Sequence, residues 1–415
     1  MKPLPLLRRS GTCLALSAVL LVAVLIGSSY LTGLHHWVPG QDWGGDMKQH
    51  WTAARMVAET GFPSLYRDFA FSREITRDFH ADNYAAGQFL DRHDYRYGPL
   101  VAWVAWFLRP LPYSLWLAGW FFLSLALTIA GWWCLRKTWP QQTSGPGSWI
   151  ALAAFPPTLY AFSIYQNAPL TFGIICPSLL LASHGFAGWS GALLACAHYK
   201  PQILAFLFAG LLMARQWRAA ILMATVSAAL LILGLALAGW EAHHAWVESL
   251  LNIMQGRQGD EMATNIPWRG FLATCLPHLA PATVSQLSNG LLLISAAALF
   301  AWFQRERSHH RNVRLEDALA VTIGWWLVFS PHVKPYDLLL AFPATVVLLN
   351  RSANRHASWA WITLWTAAFL GVFARLIGPS LAALPLTVWW ILLLAPQRPP
   401  SSTLHLTSLP ANARS

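Results

Sequence analysis

The sequence predicts an all-α protein, a polytopic transmembrane helical bundle, and three observations carry that reading. Hydrophobic residues fill 56% of the 415 positions and charged residues only 11%, too few charges to solvate a globular surface of this size. Apolar runs near the length of a bilayer crossing recur along the chain, and such runs satisfy their backbone at membrane depth by becoming helices. Short basic clusters separate them, at Arg136/Lys137, Arg215/Arg218, Arg305 to Arg314, Arg351/Arg355 and Arg398. That is the pattern of cytoplasmic turns under the positive-inside rule, so the net charge of +11 reports topology and no nucleic-acid partner.

The elements follow in order. Arg8 and Arg9 precede an apolar run over 13–31, which is longer than a signal-peptide core and is followed by further spans. An uncleaved first crossing with a cytoplasmic N-terminus is expected. Next comes an extracytoplasmic loop, 34–98, that holds nine of the chain's seventeen carboxylates. Lipid packing does not ask for such a loop. Within it, 47–60 reads as an amphipathic helix, with Trp51, Ala54, Val57 and Ala58 on one face and Lys48, Arg55 and Glu59 on the other. Asp46 stands at its start, after Trp43-Gly44-Gly45, where an N-cap belongs; the remaining loop carboxylates read as a solvated face.

Beyond the loop, several apolar pieces are too short to cross. Segments 188–199 and 202–213, about 18 Å each as helix, flank Lys200-Pro201 with cytoplasmic outer ends, the mark of a re-entrant or broken pair. Similar half-length pieces are 99–108 and 267–277. Interrupted helices are tolerated in a membrane where they line a cavity or pack on protein, so these breaks point toward a site. About ten full crossings are counted in one membrane domain, 1–396, before a cytoplasmic tail, 397–415, whose Pro and Ser content predicts disorder. The turns left facing outward are the first loop, 165–167, 240–267, 330–337 and the one near Gly378.

Many of the 24 Trp lie near segment ends, among them Trp37, Trp103, Trp106, Trp116, Trp132, Trp133, Trp325, Trp326, Trp389 and Trp390. Interfacial belts account for such placement. The five Cys are scattered without metal-ligand or disulfide spacing. The pairs His243-His244 and His309-His310 read as interfacial or surface residues. Asp-x-Asp, His-Glu-x-x-His and Gly-rich phosphate loops are missing from the expected settings, and Asp91-Arg92-His93-Asp94 has a spacing common in loops. A required metal, any other cofactor and a nucleotide-sugar donor are therefore not expected.

The ordered motifs carry a resemblance. Gly45-Asp46-x4-Trp51-x-Ala53-Ala54-Arg55 is followed by Gly61-Phe62-Pro63-x-Leu65-Tyr66-Arg67-Asp68 and then by Tyr95-Arg96-Tyr97-Gly98-Pro99-Leu100. Later come Tyr165-Gln166-Asn167, Lys200-Pro201-Gln202, Asn265-x-x-Trp268-x-Gly270 and Ser330-Pro331-His332-Val333-Lys334-Pro335-Tyr336-Asp337. Together they resemble glycosyltransferase family 87, integral-membrane enzymes of GT-C type that include polyprenyl-phosphate-mannose-dependent mannosyltransferases. The family pattern has Pro where Gly98 stands, and Gly before the Gln that matches Gln166.

The resemblance implies inverting transfer of a hexose, with mannose the best-known case, from a polyprenyl-phosphate sugar to a hydroxyl of a lipid or glycan acceptor. Such chemistry needs a base beside the attacking hydroxyl and cations or hydrogen-bond donors around the leaving phosphate. Asp46 matches the family's catalytic carboxylate. For the phosphate, Lys200, Lys334, Arg96 and Arg92 are candidates; a Lys within an apolar run is costly unless paired or hydrated. His332 suits hydroxyls or the phosphate, Asp337 is either a site residue or a helix cap, and the amides of Gln166 and Asn167 suit sugar hydroxyls. Tyr97 and Asn265 join the substrate-binding set. A transporter or flippase of lipid-linked sugars shares the broken helices, yet does not need a carboxylate-rich first loop and should show related halves, which the sequence lacks. An O-antigen ligase or a phosphoethanolamine-type transferase fits less well, the first lacking this loop and the second carrying a soluble metal-binding domain.

Overall fold

Proline sets many of the helix boundaries in this chain, because its fixed φ suits a first helical turn where the missing N–H costs nothing. The computed structural model describes residues 45–67, 69–79, 95–143, 145–254, 267–310, 313–351, 355–377 and 379–395. The expected crossing 13–31, the tail 397–415, Arg92 and Asn265 lie outside them. The described secondary structure is helical, without a strand.

In the first loop, α1 (Gly45–Thr60) and α2 (Ala70–Phe79) are joined through a 3-10 turn, Phe62–Tyr66. Then come α3 (Pro99–Phe107), α4 (Tyr113–Thr138), α5 (Pro140–Thr143), α6 (Pro146–Ala154), α7 (Pro156–Ser163) and α8 (Ala168–Ser183). α9 (Ala187–Leu194), a 3-10 turn Ala195–Tyr199 and α10 (Pro201–Met213) lead to α11 (Trp217–Ala238), α12 (Trp240–Met254) and α13 (Trp268–Cys275). After α14 (Pro281–His310) and α15 (Leu315–Phe329) a 3-10 turn, Pro335–Leu340, precedes α16 (Ala341–Arg351), α17 (Arg355–Ile377) and α18 (Ala383–Leu393).

Three of these helices, α4, α11 and α14, are long and apolar enough to cross a bilayer. Hydropathy alone counts about ten crossings; the first, 13–31, lies outside the described residues, and breaks shorten several of the other apolar runs. Phe155, held extended ahead of Pro156, splits one apolar run into α6 and α7. The expected interruption at Lys200-Pro201 is present: α9 tightens into the 3-10 turn, Lys200 leaves the helix and Pro201 opens α10. The helix after Gly98 starts as the motif requires, since Gly98 sits at φ −65°, ψ 161° and Pro99 begins α3.

Large apolar side chains stay on the outside of the long helices, among them Phe122 on α4, Ile232 on α11 and Leu293 on α14. Lipid is as apolar as they are, so contacts between helices come from close packing and not from hiding such residues. At Gly191 a Cβ would stand 2.0 Å from the Ala219 carbonyl oxygen, so α9 and α11 touch backbone to backbone. α15 is buried along its whole length, packed by α8, α10, α16 and α18.

That buried helix corrects the tryptophan reading. Trp132, Trp326 and Trp389 are fully enclosed, and Trp116, Trp325 and Trp390 are also buried. Several indoles find internal acceptors: Trp325 donates to Ser295 Oγ at 2.9 Å and Trp389 to Thr345 Oγ1 at 3.0 Å. A Trp with its N–H satisfied inside packs as a large core residue. His243 is buried too, beside Gly234, and not a surface residue.

α1 is amphipathic, but its faces differ from the helical wheel. Lys48 is buried and Ala58 exposed, because the α1 surface is covered on more than one side, by α2, α3 and α4. Nor are Glu74 and Asp78 a solvated face: Arg55 bonds both, at 2.5 and 3.0 Å, as well as Glu59 at 2.8 Å, and Thr52 Oγ1 donates to Asp78 at 2.9 Å. These contacts tie α2 across α1 and hold the platform on which Asp46 sits.

Candidate active site

Asp46 lies in the first turn of α1 and is 6% exposed. An N-cap would turn its oxygens onto the backbone of its own helix; instead they meet side chains from two distant segments. Oδ1 accepts from Gln166 Nε2 at 3.1 Å and, from its own helix, from Gln49 Nε2 at 3.5 Å. Oδ2 accepts from the Tyr97 hydroxyl and from Asn167 Nδ2, the latter at 3.3 Å. Burial pushes the Asp46 carboxyl above the ordinary aspartate value; the Tyr97 hydroxyl, the Lys200 ammonium and the Gln166 amide pull it down, and Asp337 adds to the rise.

Local backbone chemistry explains how the two amides arrive there. Tyr165 holds φ 52°, in the left-handed region that favours glycine, and it occupies the place at which the family segment has Gly. Gln166 N donates to Ala161 O at 2.8 Å, Asn167 caps α8, and both side chains project back onto α1. Once their NH2 groups serve Asp46, the oxygens Gln166 Oε1 and Asn167 Oδ1 are buried without a hydrogen-bond partner.

A second group adjoins the first. Lys200, released by the helix break, donates to Asp337 Oδ1 at 2.6 Å, with both side chains nearly enclosed. Asp337 Oδ2 accepts the Lys334 backbone N–H at 3.1 Å. Asp337 thus closes the capping box of its 3-10 turn, whose N-cap is Lys334, and is the counter-charge of Lys200. The Lys200 ammonium also lies 5.2 Å from the centre of the Tyr336 ring. Asp46 feels the charges of Lys200 and Asp337, and Arg96 lies within electrostatic reach of Tyr336, so the two groups form one cluster.

The structure brings together Asp46, Tyr97, Gln166, Asn167, Lys200 and Asp337, with Arg96 at the edge. Lys334 is buried in the same turn and His332 half-buried, its N–H donating to Ser330 Oγ at 3.4 Å. Sequence reading passed over Tyr336 as a site residue, although its place between Lys334 and Asp337 in the matched turn was a usable signal. It also passed over His50 and Tyr95, which pack behind Tyr97; Tyr95 opens the matched motif that holds Tyr97, whereas nothing in the spacing of His50 marks it. Among the described residues no three His, Cys, Asp or Glu side chains are grouped to hold a metal.

Chemically, the cluster offers a buried carboxylate of raised basicity, unpaired amide acceptors beside it and a paired cation nearby. No curated protein and no solved structure matches the chain. The profile of glycosyltransferase family 87 matches residues 95–331. The matched stretch contains Tyr97, Gln166, Asn167 and Lys200 and stops short of Asp46 on one side and of Lys334 and Asp337 on the other. Covering more than half of the sequence, it establishes that this chain belongs to glycosyltransferase family 87.

Proposed function

We propose that this glycosyltransferase moves a hexose, mannose in the first instance, from a polyprenyl-phosphate donor to a hydroxyl of a glycolipid or glycan acceptor. The reaction inverts the anomeric carbon on the extracytoplasmic side of a bacterial cytoplasmic membrane, with Asp46 as general base. The observation that supports this most is the state of Asp46: buried, aimed by four donors, and raised in basicity by its surroundings. A base works best when its proton affinity approaches the working pH. A carboxylate has about four acceptor positions, and the weakest contact on Asp46 is the 3.5 Å one from Gln49 to Oδ1, which an incoming hydroxyl would displace. The negative charge also favours positive character on the sugar ring in the transition state.

Around it, Gln166 Oε1 and Asn167 Oδ1 would accept from hydroxyls of the sugar or acceptor. Lys200, Lys334, Arg96 and His332 are the groups to meet the leaving phosphate, with Asp337 holding Lys200 in place and Asn265 contributing from outside the described residues. The test is Asp46→Asn in full-length protein, assayed with a panel of polyprenyl-phosphate sugars and product mass analysis. Transfer should fall about 10²- to 10⁴-fold, with donor binding unchanged. A variant that still transfers at the parental rate sinks the base assignment, and parental translocation of lipid-linked sugar without transfer would favour a flippase.

A further inference from the structure

The Tyr97 hydroxyl accepts from Asn167 Nδ2 at 2.7 Å, which commits its one proton to Asp46 Oδ2. The ring has little freedom to turn away. His50 lies against it with a centroid separation of 4.6 Å and Tyr95 at 5.6 Å, and His50 Nδ1 is itself held by the Tyr95 hydroxyl at 2.6 Å. Tyr66 hydroxyl donates to the Tyr97 carbonyl at 2.9 Å and pins the backbone.

We propose that Tyr97 is a positioning residue: it fixes the rotamer of Asp46 and keeps the carboxyl ionised in a buried site, and does not itself bind substrate. The functional meaning rests on Asp46 being the base; the physical claim does not. The groups that face Asp46 are Tyr95 and Tyr97 from the segment before α3, with His50 packed behind them, Gln49 from its own helix, and Gln166 and Asn167 from the turn before α8. Tyr199 and Lys200 face it from the helix break, and Tyr336 and Asp337 from the turn after α15. His50 is neutral, its imidazole lowered to about 4 by burial, and Lys200 and Asp337 offset one another. Among these, Tyr97 makes the largest contribution that favours the charged carboxylate.

The experiment uses full-length protein in lipid nanodiscs and dicyclohexylcarbodiimide, which couples to protonated carboxyls in apolar surroundings. The fraction of Asp46 labelled is followed against pH by peptide mass spectrometry, with Asp46→Asn as the blank. Tyr97→Phe should move the labelling midpoint upward by about one pH unit, a tenfold gain in proton affinity and the scale of one lost charge-assisted hydrogen bond. Asn167→Ala should move it in the same direction by less, and carries the test if Tyr97→Phe does not fold. A midpoint that stays at the parental pH in the folded variants overturns the proposal, because a purely structural Tyr97 would leave Asp46 titrating as before. If Asp46→Asn retains transfer while the Tyr97→Phe midpoint moves, the base assignment fails and the positioning role stands.

Discussion

The pair Lys200–Asp337 is the place where a charge change should separate structural from chemical roles. The ammonium and carboxylate are 2.6 Å apart, with side chains 7% and 4% exposed. At an effective dielectric of about 20 their attraction is about 6 kcal/mol, and burying two ions costs several kcal/mol each. The pair as a whole therefore contributes little, but breaking it leaves one ion buried and alone. Asp337→Asn, or Lys200→Met, should each cost about 3–5 kcal/mol. The double variant Lys200→Met with Asp337→Asn removes both charges and should recover to within about 1–2 kcal/mol of the parent. Unfolding in mixed micelles, followed by tryptophan fluorescence, measures all four members of the cycle. Single changes that each cost under about 1 kcal/mol and add in the double variant would show a solvated pair and refute the reasoning. Transfer activity in the double variant then reports on the charged pair apart from stability: a folded, inactive protein would support the proposed role of this pair in the reaction.

Two further outcomes follow from the packing and the loop platform. Gly191→Ala must part α9 from α11, since the new methyl would stand 2.0 Å from a carbonyl oxygen that cannot rotate away; a loss of about 1–3 kcal/mol is expected, and a variant as stable as the parent would show that these helices are not in backbone contact. His50 is lowered from 6.5 to about 4, so between those values the unfolded chain binds a proton that the folded platform refuses. Its contribution is present above pH 6.5 and is lost as pH falls toward 4, by up to about 3 kcal/mol. Asp46, raised by burial, works in the opposite direction. Denaturation at pH 7 and 4.5 in the parent and in His50→Gln isolates the histidine, and equal losses in both proteins would refute its buried neutral state.

Composition and charge spacing were enough to read an all-helical membrane bundle, because hydropathy and turn charge answer to the bilayer and need no tertiary partner. The break at Lys200 was equally legible, since Lys and Pro within an apolar run both oppose an uninterrupted span. The motif order identified the family, and most of the residues it marked do meet in one cluster. What each of them touches was decided in three dimensions. A helical wheel put Lys48 outside and Ala58 inside, and the opposite holds because neighbours from three other helices, invisible to local periodicity, cover α1. End positions made the tryptophans look interfacial, yet six of those named are packed inside the bundle. Asp46 had the sequence of a helix cap, and only the approach of residues 97, 166 and 167, far away along the chain, turned that carboxylate into a buried, cradled acid. Membrane residence is a sum over residues and can be read one residue at a time; a site is a set of distances between remote residues, and the packing of the chain supplies them.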